Sequence, residues 1–497
     1  MSISKPKVLL FIVAYSAERM IEKVVKRIPS ELSENYKVDI LIIDDCSIDK
    51  TFEKSINISK AGKLPFNVKV LFNPLNQGYG ENQKIGYLYA IKFRYDFVAI
   101  VHADSQYAPE LLPSLLRPLY VGNADVVFGS RMLTHISALR RGMPFYKFLG
   151  NKILTWIENK LLSTNLSKFL SGYRIYSVNA LRSIPFEKNS NDFHFDTEII
   201  IQFLIARQKI VELPIPTYYG NQTFYPKGLN YAFNVILSVC KARLQEMSLF
   251  YDSKFDCDPL ESFSPYTLKM SFNSPHSLAF DRIPKFSKVL DIGCADGSFS
   301  KILEIKKNCY VVGLDKVAYK MKKIDCLFIH DLDTNFPEIP IEKFDYILLL
   351  DFIEHLSNPE QFLEKLRYFS SMNPKLEIFI STPNVAYFIT RLMLLLGQFN
   401  YGKRGILDKT HKILYTFSSI KKTINQSGFK ILETKAIPAP FPLAVGDNSL
   451  GRFLLLINQT LILLSKSLFS YQLFFRVKPL PTIEKLLADA EKIVSSD

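Results

Sequence analysis

The stretch KVLDIGCADGSFSKIL (288–303) passes from an apolar run through a glycine turn into an amphipathic segment. That succession predicts a parallel strand, a tight loop and a helix, with Gly293 and Gly297 permitting the close backbone approach such a loop needs. The spacing is not GxGxxG, which tells against a nicotinamide dinucleotide. Instead an acidic residue, Asp291, stands at the end of the strand. Downstream, apolar runs over 310–314, 346–350 and 377–380 alternate with helical stretches, the pattern of an α/β unit with a parallel sheet. Polar residues come directly after these runs: Asp315 in VVGLD, Asp331 and Asp333 in HDLDT, and Asp351, Glu354 and His355 in LLLDFIEHL. STPNVAYF and LDKTHKILYTF add Asn384, Asp408 and His411.

Upstream, 250–284 is rich in Asp, Ser, Pro and Phe without periodicity, and is expected to be a linker. Before it lies a second series of strand candidates, over 8–13, 38–43, 68–72, 97–101 and 125–128. Met20, Ile21, Val24, Val25 and Ile28 recur at helical spacing after the first. The expected organisation is therefore an α/β domain over 1–245, a linker over 246–284, a second α/β domain over 285–440 and an apolar helical tail over 441–497. Polar clusters again sit at strand ends, where open α/β sheets bind ligands. They are AYSAE, with Tyr15 and Glu18; IIDDCSIDKT, with Asp44 and Asp45; and VHADSQY, with His102, Asp104 and Gln106. On extended backbone these last three face one way and converge on one ion, Mg or Mn by the hardness of their donors. NDFHFDTEI offers His194, Asp196 and Glu198 in the same alternation. One of its carboxylates, Glu198 or Asp196, is a candidate base for a hydroxyl acceptor, whereas a phosphate acceptor needs none.

AYSAE, IIDDCSIDKT, NPLNQGYGENQKIG, HADSQYAPE, VVFGSRM and SGYRIYS, in that order, resemble the family 2 glycosyltransferases of GT-A fold, above all their dolichyl-phosphate mannose synthase branch, over 5–245. The resemblance implies a nucleotide-sugar donor held by Tyr15, Glu18, Asp44 and Asp45, and a catalytic metal on Asp104 and Gln106. His102 replaces the family's first metal-binding aspartate, and Arg131 and Arg174 match positions that neutralise the leaving diphosphate. The loop at 291–297 and the segments after it resemble a class I S-adenosylmethionine-dependent methyltransferase of Rossmann-like fold, over 280–435, with Ala295 in place of the middle glycine. That likeness implies that Asp291, Gly293 and Gly297 cradle the methionine part and Asp315 the ribose, with Asp331 or Asp333 facing the adenine amine. Asp351 joins the cofactor-binding set, and His355 and His411 are candidate bases for methyl transfer. Two transferases in one chain imply a sugar added to a lipid-linked or glycan acceptor and a methyl added in the same pathway. The alternative is a methyltransferase with a non-catalytic nucleotide-sugar or membrane-binding module before it.

Composition agrees with two folded enzymes. A chain of 497 residues, 48% hydrophobic and 22% charged, excludes disorder, collagen and a coiled-coil rod. The six cysteines include no CxxC pair, and their spacings suggest neither disulfides nor a zinc site. A net charge of +14 suits phosphate-rich partners, but no element combines a basic stripe with aromatics, and nucleic acid is not expected. The N-terminus lacks a signal-peptide pattern, and no apolar run is long and clean enough to span a bilayer, so a cytoplasmic protein is expected. The segments 386–399 and 450–475 are dense in Leu and Phe. They read either as interfacial helices that make peripheral contact with the inner face of a membrane, or as helices buried on the second domain.

Overall fold

A computed structural model describes residues 5–62, 64–104, 106–133, 145–169, 171–216, 228–246, 250–257, 270, 273–317, 324, 326–337, 339–442 and 448–487. The chain forms two compact units, Met1–Gln245 with Asp252–Glu261, and Glu246–Tyr251 with Ser262–Asp497. Residues 247–249, 258–269 and 271–272 of the expected linker lie outside the described residues. Its last part is not loop but a helix, Pro275–Arg282, started by a Ser274–Ser277 capping box.

The first unit is built on strands β1 (Lys7–Ala14), β2 (Lys37–Asp44), β3 (Asn67–Phe72), β4 (Phe97–His102), β5 (Val126–Ser130), β6 (Arg174–Ser177) and β7 (Ile210–Pro214). They form one sheet in the order β3-β2-β1-β4-β6-β5-β7, in which only β6 runs against its neighbours. The continuous Val/Ile/Leu runs of β1 and β2 exist because core covers both faces, with Leu10 and Ile12 in one apolar cluster and Leu9 and Phe11 in another. On one face, Gly86 lets the helix Tyr79–Lys92 lie against β1: a Cβ there would stand 2.3 Å from the Phe11 ring. Register then fixes the site. Ala14 pairs with Asp44 and Val13 with His102, so β1, β2 and β4 release their loops along one edge.

The second unit carries β8 (Lys288–Ile292), β9 (Tyr310–Asp315), β10 (Leu327–Ile329), β11 (Tyr346–Leu350), β12 (Glu377–Pro383), β13 (Phe429–Ile437) and β14 (Gln472–Pro479). Their order is β10-β9-β8-β11-β12-β14-β13, and β14 is antiparallel to both its neighbours. Leu473, Phe474, Phe475 and Val477 of β14 are fully buried. The reading of 441–497 as a separate helical tail is thereby corrected, because the run that ends it is a strand inside the sheet. Asn384 is fully buried, and its amide donates to the Ser467 and Ser470 carbonyls, pinning the turn into β14.

Between β13 and β14 the helix Ser449–Leu464 buries Gly451, Asn458 and Ile462. Asn458 accepts from the Ala439 amide and donates to the Phe469 carbonyl. The other face is open, with Leu450, Phe453, Leu456, Leu463 and Leu464 56–82% exposed. Leu392, Leu394, Leu395 and Leu396, on and just after the helix Phe388–Leu395, are 50–84% exposed. Burial on the sheet therefore accounts for one stripe of each segment and not for its leucines. Among the described residues no helix is long and apolar enough to cross a membrane.

Because β14 bonds to β12 and β13, ending the chain at Asn448 removes a central strand rather than an appendage. Such a chain is expected to lose the second unit's unfolding transition in calorimetry. A truncated chain that kept it would overturn the placement of β14.

Candidate functional site

At the edge of the first sheet two loops are stitched together by side chains. Ser47 accepts from the Ser16 amide and donates to Asp44, while Thr51 accepts from the Ala17 amide and donates to Asp49. Ser16 and Cys46 take left-handed backbone to make these turns, at φ 49° and 62°. Asp45 accepts from the Asn73 side chain at 2.7 Å and from the amides of Gln77 and Gly78 at 2.9 and 3.0 Å. It holds the loop 73–78 rather than facing outward. Asp44 is fully buried, and its Oδ2 has no partner. Burial raises its pKa, against the pull of Ser47. Glu18 pairs with Lys54 at 3.4 Å, and Tyr15 stays partly exposed beside it in the first loop.

β4 ends at His102, and 103–104 form a turn, so the alternation that was to align His102, Asp104 and Gln106 stops at the histidine. His102 Nε2–H donates to the Gly172 carbonyl at 3.1 Å, which leaves Nδ1 as the nitrogen with a lone pair. Asp104 accepts from the Gln106 amide at 3.1 Å, and the Gln106 carbonyl accepts from Arg131 at 3.0 Å. Arg131 lies 4.4 Å over the Tyr107 ring, with a buried Nε that has no partner. Lys168 and Glu158, which sequence reasoning missed, are buried nearby. Burial and then the Arg131 guanidinium lower Lys168 to about 8, against Glu158; burial raises Glu158 to about 8, against Thr197 and Lys168.

Asp196 and Glu198 belong to a helix, Phe195–Ile205, so residues two apart point to different sides. The expectation that they share a face with His194 is corrected on that ground. Asp196 is ion-paired with Arg174 at 3.3 Å and accepts from Tyr79 and Gln83. Glu198 accepts from the Ser190 amide, Ser238 and Lys254. Arg174 is fully buried and donates to the Ser171, Phe169 and Asp196 carbonyls. It braces β6 and cannot turn toward a diphosphate without unpairing a buried ion pair.

The ends of β8, β9 and β11 enclose a cavity of about 330 Å³, lined by Asp291, Asp315, Asp331, Asp333, Asp351 and His355 among others. Gly293, Ala295 and Gly297 all have left-handed backbone, at φ 79°, 51° and 77°. A Cβ on Gly293 would stand 2.7 Å from Phe352, and Ala295 adopts the conformation of the glycine it replaces. Asp315 accepts from the Ala295 and Val317 amides, both at 2.9 Å. Burial raises Asp291 to about 6, with Ser300 lowering and Asp315 raising it further. Asp333 is tied to Lys412 and Ser357, whereas Asp331 accepts from the Asp333 amide. Asp351, at φ 53°, accepts from Ser381 and from Gln472 of β14, both at 2.7 Å. Beside the cavity, His355 and His411 meet edge to face with ring centres 4.9 Å apart. Burial and then Asp351 push Glu354 well above the usual carboxylate range.

Residues 10–184 match the family described as Glycosyl transferase family 2, and residues 269–434 match the family described as Methyltransferase domain. The chain joins a family 2 glycosyltransferase domain to a methyltransferase domain. By domain content it is a bifunctional transferase. The glycosyltransferase domain is 28% identical over 217 residues to an uncharacterized protein of Methanocaldococcus jannaschii, covering 44% of this chain and 84% of the relative. It is 27% identical over 214 residues to an undecaprenyl-phosphate mannosyltransferase of Micrococcus luteus, covering 42% and 82%. A UDP-N-acetylglucosamine–dolichyl-phosphate N-acetylglucosaminyltransferase of Methanococcus voltae is 26% identical over 221 residues, covering 43% and 86%.

Within the glycosyltransferase domain the residues gathered at the open edge are thus Tyr15, Glu18, Asp44, His102, Asp104, Gln106 and Arg131. Asp45, Arg174, Asp196 and Glu198 serve the scaffold. In the methyltransferase domain the predicted cofactor residues Asp291, Gly293, Asp315, Asp331, Asp333 and Asp351 all line one cavity, and Gly297 shapes the turn at its wall.

Proposed function

We propose that the glycosyltransferase domain moves a sugar from a nucleotide-sugar donor to a phosphate oxygen of a lipid-linked acceptor. We propose further that the methyltransferase domain methylates an acceptor of the same pathway from S-adenosylmethionine. The observation that carries the choice of a phosphate acceptor is the occupation of both candidate bases. Asp196 is held by Arg174, Tyr79 and Gln83, and Glu198 by Lys254, Ser190 and Ser238. A hydroxyl acceptor needs a base to take its proton, whereas a phosphate arrives already as an oxyanion. The names of the relatives from M. luteus and M. voltae, which specify undecaprenyl and dolichyl phosphate, agree with that acceptor.

On this reading Tyr15, Glu18 and the unpartnered oxygen of Asp44 receive the nucleoside. Arg131 and Lys168 are two buried cations, the first lowering the pKa of the second despite Glu158, and the leaving diphosphate would bring them an anion. Asp104 would hold the divalent ion, Mn or Mg, with the Nδ1 lone pair of His102 and with Gln106 brought to it by the turn after β4; a carboxylate and an imidazole fit either. That ion supplies charge neutralisation at the diphosphate. A lipid acceptor also accounts for apolar stripes at helical spacing on this domain: Leu149, Ile153 and Trp156 on the helix Phe145–Leu162, and Phe233, Leu237 and Leu244 on Gly228–Glu246. With the open leucines of the second unit and a net charge of +14, they support peripheral contact with the cytoplasmic face of an anionic membrane.

The methyltransferase cavity fits S-adenosylmethionine by charge, since a ring of carboxylates meets a ligand bearing a sulfonium and an ammonium. When bound, the cofactor supplies the electrophilic methyl group. Asp315 accepts the ribose hydroxyls, Asp291 and the glycine turn receive the methionine end, and Asp331, less committed than Asp333, faces the adenine amine.

Incubation with labelled UDP-, GDP- and dTDP-sugars is expected to label polyprenyl phosphate and not the matching polyprenol. Equal labelling of the alcohol would contradict the missing base. Asp104→Ala is expected to abolish this transfer while leaving S-adenosylmethionine binding intact; full transfer by the variant, or transfer undiminished by a chelator, removes the metal role. In calorimetry, Asp315→Ala is expected to weaken S-adenosylmethionine binding by about 1.5–3 kcal/mol. Affinity for this cation is also expected to fall as pH drops through about 6, where Asp291 takes up a proton, and Asp291→Asn should flatten the profile. The same carboxyl acts oppositely on the empty fold: its stabilisation is present below 3.8 and lost as pH rises through about 6. A profile unchanged in the variant would remove Asp291 from the cofactor site.

A further inference from the structure

We infer that Glu354, His355 and His411 form a binding site for a divalent transition-metal ion. The three offer ligand atoms within 4.8 Å of one another, the one group of this kind among the described residues. Glu354 is 1% exposed, and neither of its carboxylate oxygens has a hydrogen-bond partner; the Thr382 hydroxyl is unpartnered as well. A buried carboxyl with no partner for either oxygen is costly to ionise, and a cation bound beside it would offset that cost.

The imidazoles are set up for the same task. His355 Nδ1–H donates to the Thr410 carbonyl at 3.2 Å, and His411 Nδ1–H donates to the Ile406 carbonyl at 3.0 Å. Carbonyls only accept, so both rings carry the proton on Nδ1 and the lone pair on Nε2. Orientation of a ligand histidine through its other nitrogen is the arrangement metal sites use. The backbone holds the two segments in place, because the Lys412 and Ile413 amides donate to the Glu354 carbonyl at 2.8 and 3.2 Å. A tetrahedral ion would draw these ligand atoms, now within 4.8 Å, to separations of roughly 3.3 Å.

Two imidazoles and one carboxylate select Zn or another late first-row ion over Mg, which prefers oxygen. Such a set leaves coordination positions open, and His355 and Thr410 both line the proposed methyl-transfer cavity. An acceptor hydroxyl bound there would have its pKa lowered by the ion. That chemical role rests on the methyltransferase reading, whereas the metal site does not.

The test strips the full-length chain with a chelator and titrates it with Zn and with Co, following bound metal by mass spectrometry and cobalt by its visible bands. The parent and Asp104→Ala are expected to retain one ion that Glu354→Gln and His411→Ala bind about 100-fold more weakly or worse. Glu354→Gln keeps the size of the side chain and carries no charge to bury, so it should fold at least as well without metal and its loss of the ion is not a folding artefact. Added Zn is expected to raise the parent's unfolding temperature and not that of the variant. Equal binding by parent and Glu354→Gln, or no retained ion in the parent, would overturn the site, while an ion lost only in Asp104→Ala would assign it to the glycosyltransferase domain instead.

Discussion

In-register parallel pairing is the constraint on which both candidate sites depend. Parallel strands finish at the same edge, so the loops after the apolar runs are delivered to one line. In the first sheet that line joins the loops after Ala14, Asp44 and His102. In the second it joins the ends of β8, β9 and β11, and six aspartates meet around one cavity. A carboxylate at a strand end costs little while water reaches it and becomes useful once a cationic or hydroxyl-bearing ligand displaces that water.

Charges set deeper in the same sheets do other work. Arg174 with Asp196, and Glu198 with Lys254, are ion pairs within the core of the glycosyltransferase domain. Removing either partner would strand a buried charge, which makes these residues sensitive to substitution without making them reactive. Their engagement carries the proposed choice of acceptor: with Asp196 and Glu198 both held in ion pairs, neither candidate base is free, and an acceptor that brings its own negative charge needs none. Glu354 is the contrasting case, a buried carboxylate whose oxygens the protein leaves unpartnered.

What could be read in the sequence was what is local. The strand-end aspartates and the glycine turn at 293–297 are legible because apolar run, turn and helix succeed one another within a dozen residues. His194, Asp196 and Glu198 were misjudged because alternation implies one face only on extended backbone, and this stretch enters a helix. Arg174 looked available because its neighbours in sequence say nothing of the carbonyls of Phe169 and Asp196 that fold over it. β14 was hidden by an apolar segment that is helix for one half and strand for the other. Lys168 meets Glu158 across the turn that follows the helix Phe145–Leu162, and His355 meets His411 from a segment more than fifty residues away. No periodicity announces such pairs.

The claim that unites the chain is that its two domains act on one product. Mass spectrometry of the lipid formed from a nucleotide sugar, a polyprenyl phosphate and S-adenosylmethionine tests it most directly. The account predicts a lipid that gains first a sugar and then, only with S-adenosylmethionine present, a methyl group on the same molecule. A glycosylated lipid that never takes up the methyl group, alone or after further sugars are added, would contradict it.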